Sequence, residues 1–247
     1  MCATFEIKTT LDNIAKHFGN PLKTQDPLIT PTLDLTVKGF MKTQQAPLIY
    51  LNNGEYQLVN MAFSLCPSWA KVYPFTASTY NARLERINQN GNHEYIYQVP
   101  TWKQAWKNAT TCLVPMTGAI ESCHYGKQKG HVVRFHQLDN EVFFVAGLYS
   151  NYTEANQTYA TFTILTDTPY PYFHEQGHDR GIVVLKPSAY QDWLHNPHLT
   201  NEQRLAFVRE ARCDLPWNCE PIRSIKKIYP PRELELETMD VWGQKIK

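Results

Sequence analysis

The chain has no run of apolar residues approaching the roughly 20 needed to cross a bilayer as a helix, and its first residues lack the apolar core of a secretion signal. The expected address is therefore inside the cell. Neither sign of charge dominates: 24 Lys and Arg stand against 23 Asp and Glu, a net charge of +1. Any contact with nucleic acid must then come from a local patch rather than from bulk basicity. There is no internal repeat, no low-complexity tract and no obvious linker. Charged residues make up 19% of the 247 positions and hydrophobic residues 43%, which excludes a disordered chain and provides enough apolar surface for a sizeable core.

Six cysteines are present: Cys2, Cys66, Cys112, Cys123, Cys213 and Cys219. The even number invites a disulfide framework, but an intracellular chain of this size favours free thiols. Cys213 and Cys219 flank Asp214, Pro216 and Trp217, with no second pair at zinc-like spacing. Cys66, Cys112 and Cys213 read as small buried hydrophobes.

Short runs rich in β-branched and aromatic residues predict strands at Leu48–Leu51, Tyr95–Val99, His131–Phe135, Val142–Ala146, Thr161–Thr166 and Gly181–Leu185. Helices are fewer. Thr101–Ala109 reads as one, with Thr101 as its N-cap, and Ser188–Leu194 as a second. The clearest is Thr200–Arg212, capped by Thr200 with Leu205, Val208 and Ala211 along one face. Strands outnumber helices without alternating with them, so the expected fold is α+β. It is a single domain over residues 1–229, mostly antiparallel sheet with a few peripheral helices. Residues 230–247, with Pro230, Pro231 and alternating Glu, are expected to form a surface tail.

Chemistry begins at the start of the chain. The pair Met1-Cys2 suits removal of the methionine, because the second side chain is small. Cys2 would then carry an α-amine with a pKa of about 7.7–8.0 beside a thiol of about 8.5. Such a 1,2-aminothiol condenses with an aldehyde to an imine, which the thiol closes to a five-membered thiazolidine. No internal cysteine can do this. Alone, a cysteine at position two is an ordinary residue at a fraying terminus.

Downstream segments change that weight. Pro67-Ser68-Trp69-Ala70-Lys71 is followed by Asn81-Ala82-Arg83-Leu84-Glu85. Cys112-Leu113-Val114-Pro115 precedes Gly118 and Glu121. Ala146-Gly147-Leu148 comes before Phe162–Thr166, and His178-Asp179-Arg180 leads into Val183-Val184-Leu185. In this order from Met1-Cys2 the chain resembles the SRAP family, the SOS response-associated peptidases or abasic-site-processing proteins. The family pattern has a Met-Cys-Gly-Arg start, Pro-Ser-Trp-Ala, Asn-Ala-Arg-x-Glu, a Pro-x-x-Gly-x-x-Glu segment, Ala-Gly-Leu and His-x-Arg-Met-Pro. The likeness runs from residue 2 to about Leu194.

The resemblance implies a SRAP-like, barrel-like β-rich core and a covalent activity. Such proteins bond the aldehyde of an abasic site in single-stranded DNA through the N-terminal cysteine, protecting the lesion during the DNA damage response, with autoproteolytic removal of the first methionine. Cys2 matches the nucleophile and Glu121 the acidic residue of proton handling and maturation. His178 matches the histidine that opens the sugar ring, and Asn81 the asparagine that positions the terminus. Arg83 and Arg180 match phosphate-contacting arginines. Ser68 belongs to the same DNA-binding set, as does Trp69, whose ring offers a stacking face for a base. These residue types suit the chemistry, since opening a closed hemiacetal needs an acid–base pair, and histidine titrates near neutrality. The implied protein is a monomer of the cytoplasm, nucleoid-associated when bound to DNA. Its partner is single-stranded DNA with abasic sites, and it needs no metal or cofactor and no membrane.

Departures accompany the likeness. The family's glycine and arginine at positions three and four are Ala3 and Thr4, its Arg-Trp-Gly-Leu run is Ala62-Phe63-Ser64-Leu65, and its Met-Pro is Gly181-Ile182. The lost arginines imply a weaker electrostatic grip on the DNA backbone. Two other chemistries remain open. One is an N-terminal-nucleophile cysteine peptidase or amide hydrolase based on Cys2. The other is a zinc metalloprotease through His174-Glu175-Gln176-Gly177-His178, which fits H-E-x-x-H. That motif needs a helix to put both imidazoles on one face, whereas Pro169, Pro171 and Gly177 predict a loop entering a strand. A noncatalytic single-strand-binding module is a further alternative.

Overall fold

Strand segments buried on both faces, such as Thr111–Met116 and residues 143–148, form the centre of this chain, and alternating burial marks the strand Thr32–Lys38. The computed structural model describes residues 4–18, 22–24 and 26–229. The chain opens with β1 (Thr4–Thr10), α1 (Leu11–Ala15), β2 (Thr32–Lys38), β3 (Gln45–Asn52) and β4 (Glu55–Phe63). Three short strands follow, β5 (Asn81–Arg83), β6 (Glu85–Ile87) and β7 (His93–Tyr95), then α2 (Pro100–Lys107). Next come β8 (Thr111–Met116), β9 (Gly118–Ser122), β10 (His131–Gln137), β11 (Phe143–Glu154) and β12 (Gln157–Asp167). The last elements are α3 (Pro171–Gln176), β13 (Gly181–Ile182), α4 (Tyr190–Leu194), α5 (Asn201–Glu210) and β14 (Trp217–Ser224).

A two-stranded β6-β7 sheet and two large sheets make a single α+β domain. One runs β14-β10-β9-β1-β2, all antiparallel. In the other, β11-β8-β3-β4-β12 is closed by the β11–β12 hairpin into a barrel-like ring, with β13 and β5 added to β12. Parallel pairing occurs in this sheet where β4 and β5 meet β12. The core lies between the sheets. Phe5 of β1 and Phe63 of β4, both fully buried, meet edge to face with centroids 5.0 Å apart, a favoured aromatic geometry.

Phe63 also stacks on Phe162 at 5.0 Å, and Ala62 is buried beside it. The departure Ala62-Phe63-Ser64-Leu65 therefore sits in packed interior, where an arginine would need a charged partner. Five described cysteines are free thiols, with Cys66, Cys112 and Cys123 buried and Cys213 and Cys219 half-buried.

Thr200 caps α5 as expected: its hydroxyl accepts from the Gln203 N–H at 3.2 Å while Gln203 Oε1 accepts from the Thr200 N–H at 2.9 Å. Tyr95–Val99 is not a strand. β7 ends at Tyr95, and Ile96–Gln98 form a 3-10 turn in which Gln98 Oε1 accepts from the Tyr95 N–H at 2.8 Å. Pro100 then occupies the first helical position of α2, so Val99 and not Thr101 is the N-cap. Of Gly181–Leu185 only Gly181–Ile182 is strand; Val184 and Leu185 make isolated bridges. The expected tail, residues 230–247, lies outside the described residues. No helix among those residues is long and apolar enough to cross a membrane.

Candidate functional site

β9 carries Glu121 between two neighbours, with Val133 of β10 directly opposite it and Ile120 opposite Thr4 of β1. Although one residue from the end of its strand, Glu121 is 4% exposed, which rules out a solvated terminal charge. A carboxylate buried this deeply needs a polar partner. His178 supplies one, its Nε2 lying 3.4 Å from Glu121 Oε2 with both side chains buried.

His178 arrives there through an interlock of two glycines. α3 ends at Gly177, which has φ +111°, a left-handed conformation suited to glycine. A Cβ on Gly177 would fall 1.7 Å from the Tyr125 carbonyl oxygen, and one on Gly126 (φ +62°) would fall 2.4 Å from the Glu175 carbonyl oxygen. Backbone N–H groups of His124, Lys127 and Gln128 donate to the carbonyls of Gly177, Glu175 and Gln176 at 2.9–3.0 Å. The loop after β9 thus caps the end of α3 and fixes His178 against the strand that carries Glu121.

The second imidazole nitrogen sets the protonation pattern. His178 Nδ1 lies 3.2 Å from the Ser122 carbonyl oxygen, an acceptor only, so Nδ1 carries the hydrogen and donates. Burial, aided by the charges of His124 and Arg180, drives the imidazolium well below its usual pKa, while the Ser122 carbonyl opposes the shift. A neutral imidazole protonated at Nδ1 turns the Nε2 lone pair toward Glu121. Between two such acceptors one proton can be held by either, which is what an acid–base pair requires.

The shift also carries a stability consequence. A histidine whose native pKa is depressed binds its proton in the unfolded chain first, so stability is fully present above the unfolded pKa of about 6.5 and is lost as pH falls below it. Between that value and the native pKa, His178 lowers the unfolding free energy by about 1.4 kcal/mol per pH unit. His17 and His124, also lowered by burial, add in the same direction. Urea unfolding from pH 7 to 5 is expected to show a shallower loss of stability in His178→Gln than in the wild type; parallel slopes would contradict the assignment.

The remaining expected residues lie on other elements. Asn81 and Arg83 share one face of β5, two residues apart, paired to Ile164 and Thr166 of β12. Asn81 is 9% exposed, and neither its Oδ1 nor its Nδ2 has a hydrogen-bond partner among the described residues. Such an orphaned amide is costly and suits a group that binds something. Arg83 and Arg180 are half-buried and engaged in interactions. Ser68 and Trp69 sit on an exposed loop; the Trp69 indole is 52% exposed, its N–H donating to the Pro100 carbonyl at 3.1 Å and its ring edge-on to Phe75. Trp69 is therefore a half-exposed surface ring rather than core. The geometry thus brings Glu121, His178 and the charge of Arg180 together, with no direct hydrogen bond from Asn81 to that pair among the described residues. Cys2 lies outside the described residues.

The H-E-x-x-H string is partly helical, contrary to the expected loop: His174 and Glu175 belong to α3. The helix stops at Gly177, so His178 leaves it and the two histidines do not share a helical face. His174 packs instead against Tyr125, with ring centroids 5.3 Å apart. Among the described residues no group of three His, Cys, Asp or Glu is placed to hold a metal ion.

Sequence reasoning missed several neighbours. Burial pushes the Cys123 thiol up to about 12, with the Glu121 charge adding to it. Burial also pushes the Tyr125 hydroxyl up to about 12, and that hydroxyl has no hydrogen-bond partner among the described residues. The signal for both was the glycine at 126 just beyond them, matched to Gly177.

The family described as SOS response associated peptidase (SRAP) matches residues 1–223. Three solved structures share the fold. A protein from Bacteroides thetaiotaomicron is 20% identical, with a TM-score of 0.69 over 90% of this chain and 92% of that one. A protein from Bordetella bronchiseptica is 18% identical, with a TM-score of 0.66 over 90% of this chain and 100% of that one. A phage-related protein from the same organism is 18% identical, with a TM-score of 0.62 over 90% of this chain and 95% of that one. No curated protein matches the sequence significantly.

Proposed function

The chain belongs to the SOS response associated peptidase family, and from that premise we propose that it crosslinks itself to abasic sites in single-stranded DNA through Cys2. Once Met1 is removed, by the protein itself, the α-amine of Cys2 attacks the sugar aldehyde and one water leaves as the imine forms. The thiol then adds across the C=N bond. A C–S bond and an N–H result, and the product is a thiazolidine.

The observation that carries this reading is the buried Glu121–His178 pair at the entry of the chain. Thr4 stands opposite Ile120, the residue before Glu121. Two residues span at most about 7 Å, so chain length alone keeps position 2 within that radius of Thr4. A proton shared between His178 and Glu121 provides both halves of ring opening: a base for the C1′ hydroxyl and an acid for the ring oxygen. The same carboxylate can take a proton from the α-amine and keep it nucleophilic. Asn81 orients the terminus with its unpartnered amide. Arg83 and Arg180 hold phosphates, while Trp69, with Ser68 beside it, presents a face to an unpaired base.

Substrate class supplies the test. The protein is expected to give a denaturation-resistant adduct with single-stranded DNA carrying one abasic site. It should give none when borohydride has first reduced the aldehyde to an alcohol, and much less when the site lies in a duplex. Adduct on the reduced site would rule out aldehyde chemistry, and equal rates on duplex would rule out the single-strand preference.

A further inference from the structure

We propose that residues 225–229, together with the loop at 124–130, form a basic strip ending in an aromatic ring that carries the phosphates of the DNA single strand away from the candidate site. This rests on the site being a DNA site; of the two segments, residues 225–229 lie beyond the family match, which ends at residue 223.

Among the described residues β14 is an edge strand, paired only to β10. Past its end the chain does not leave the protein. The Ile225 N–H donates to the Gly130 carbonyl at 2.9 Å, and the Tyr229 N–H donates to His124 Nδ1 at 3.3 Å. The Tyr229 ring stands edge-on to the His124 ring, with centroids 5.5 Å apart. His124 in turn donates its own N–H to the Gly177 carbonyl, one residue before His178. The segment is therefore tied along its length to the loop that positions the acid–base pair.

Its exposed side chains are Lys226, Lys227, Ile228 and Tyr229. Arg223 near the end of β14, and Lys127 and Lys129 on the loop, are exposed cations beside it. Lys127 pairs with Glu175 at 2.5 Å, whereas Lys129, Arg223, Lys226 and Lys227 have no ion pair with a described carboxylate. The nearby acids are Glu175, Glu220, which is engaged by Arg134 at 3.2 Å, and Asp179, which acts on His124. In a chain whose net charge is +1, this is a local concentration of positive charge among the described residues. Lys227 Nζ lies 5.2 Å from the centre of the Tyr229 ring, which is 54% exposed. Cations interleaved with an open aromatic face match a single-stranded nucleic acid, whose backbone is anionic and whose bases stack without regard to sequence.

The test is anisotropy titration of unmodified oligothymidylate over a series of salt concentrations, comparing wild type with the double variant Lys226→Ala/Lys227→Ala and with Tyr229→Ala. Two lost phosphate contacts are expected to reduce the salt slope by about 1.4 and the affinity at low salt by at least roughly tenfold. Tyr229→Ala should weaken binding while leaving the slope unchanged, as loss of stacking does. All three side chains are exposed, so unchanged melting temperatures will show that the variants fold. Unaltered affinity and slope in the double variant would overturn the proposal, as would binding to phosphatidylserine vesicles that depends on these lysines while DNA binding does not. The two readings fail separately. A wild type that binds oligothymidylate through these lysines but forms no abasic adduct sinks the crosslinking reading and leaves the strip. An adduct-forming protein with an unaltered slope does the reverse.

Discussion

Replacing Cys2 by serine is expected to reduce the heat-stable adduct to background, the largest effect of any single substitution in this protein. The reason is the ring-closing step. Serine leaves the α-amine in place, so an imine with the abasic aldehyde can still form, but imines hydrolyse reversibly. A cysteine thiol is partly thiolate near neutrality and intrinsically nucleophilic, whereas a hydroxyl is a weak nucleophile without a dedicated base. The variant should therefore give an adduct only when borohydride is added during the reaction, and none on a denaturing gel without it. A Cys2→Ser protein that still gives a stable adduct would place the bond on another residue. Cys123 and Cys112 are poor alternatives, since burial holds both thiols far above their ordinary range.

The second large effect is expected at the buried pair. Glu121→Gln and His178→Gln should each slow adduct formation by roughly 100- to 10,000-fold, the range typical of a positioned acid–base group. Because the two side chains lie 3.4 Å apart and are expected to act as one unit, the double variant should be little slower than either single one. Additive losses would mean that they act independently. Each substitution keeps the approximate size of the side chain, and melting temperatures will separate lost chemistry from lost structure. A further control distinguishes ring opening from positioning: an open-chain aldehyde on the same oligonucleotide needs no hemiacetal opened. Reaction with it should recover much of the loss in His178→Gln, whereas a merely structural role would leave both substrates equally slow.

How far the sequence revealed this arrangement depends on the range of the forces involved. α5 was legible to its first residue because Thr200 and Gln203 form a local capping box. β10 and β12 were legible from their β-branched runs. The segment Tyr95–Val99 has strand composition, yet the Gln98 side chain and Pro100 turn it into a helix entry. β14 was not read as a strand because Trp217 is its one buried residue and it contains Pro221, which the sheet accommodates at the bulge opposite Val132 and Val133. β1 was missed for a related reason: Phe5 and Ile7 alternate as a strand should, but in a stretch where fraying is the ordinary expectation.

The candidate site divides in the same way. Glu121 and His178 are far apart in the chain, and no spacing rule joins them; their pairing depended on the order of motifs in the family. Their burial came from the sheet register and from the Gly126–Gly177 interlock, contacts between backbones that no side-chain pattern announces. Trp69 was one of the expected residues, but its open face depended on the hydrogen bond to Pro100.

The most direct measurement is the mass of the first tryptic peptide after reaction with an abasic single strand and nuclease digestion. The account predicts a peptide beginning at Cys2 and ending at Lys8, without Met1, carrying the abasic nucleotide less one water and stable without borohydride. A peptide that retains Met1 and is unmodified, with the mass found instead on a lysine or an internal cysteine, would contradict it.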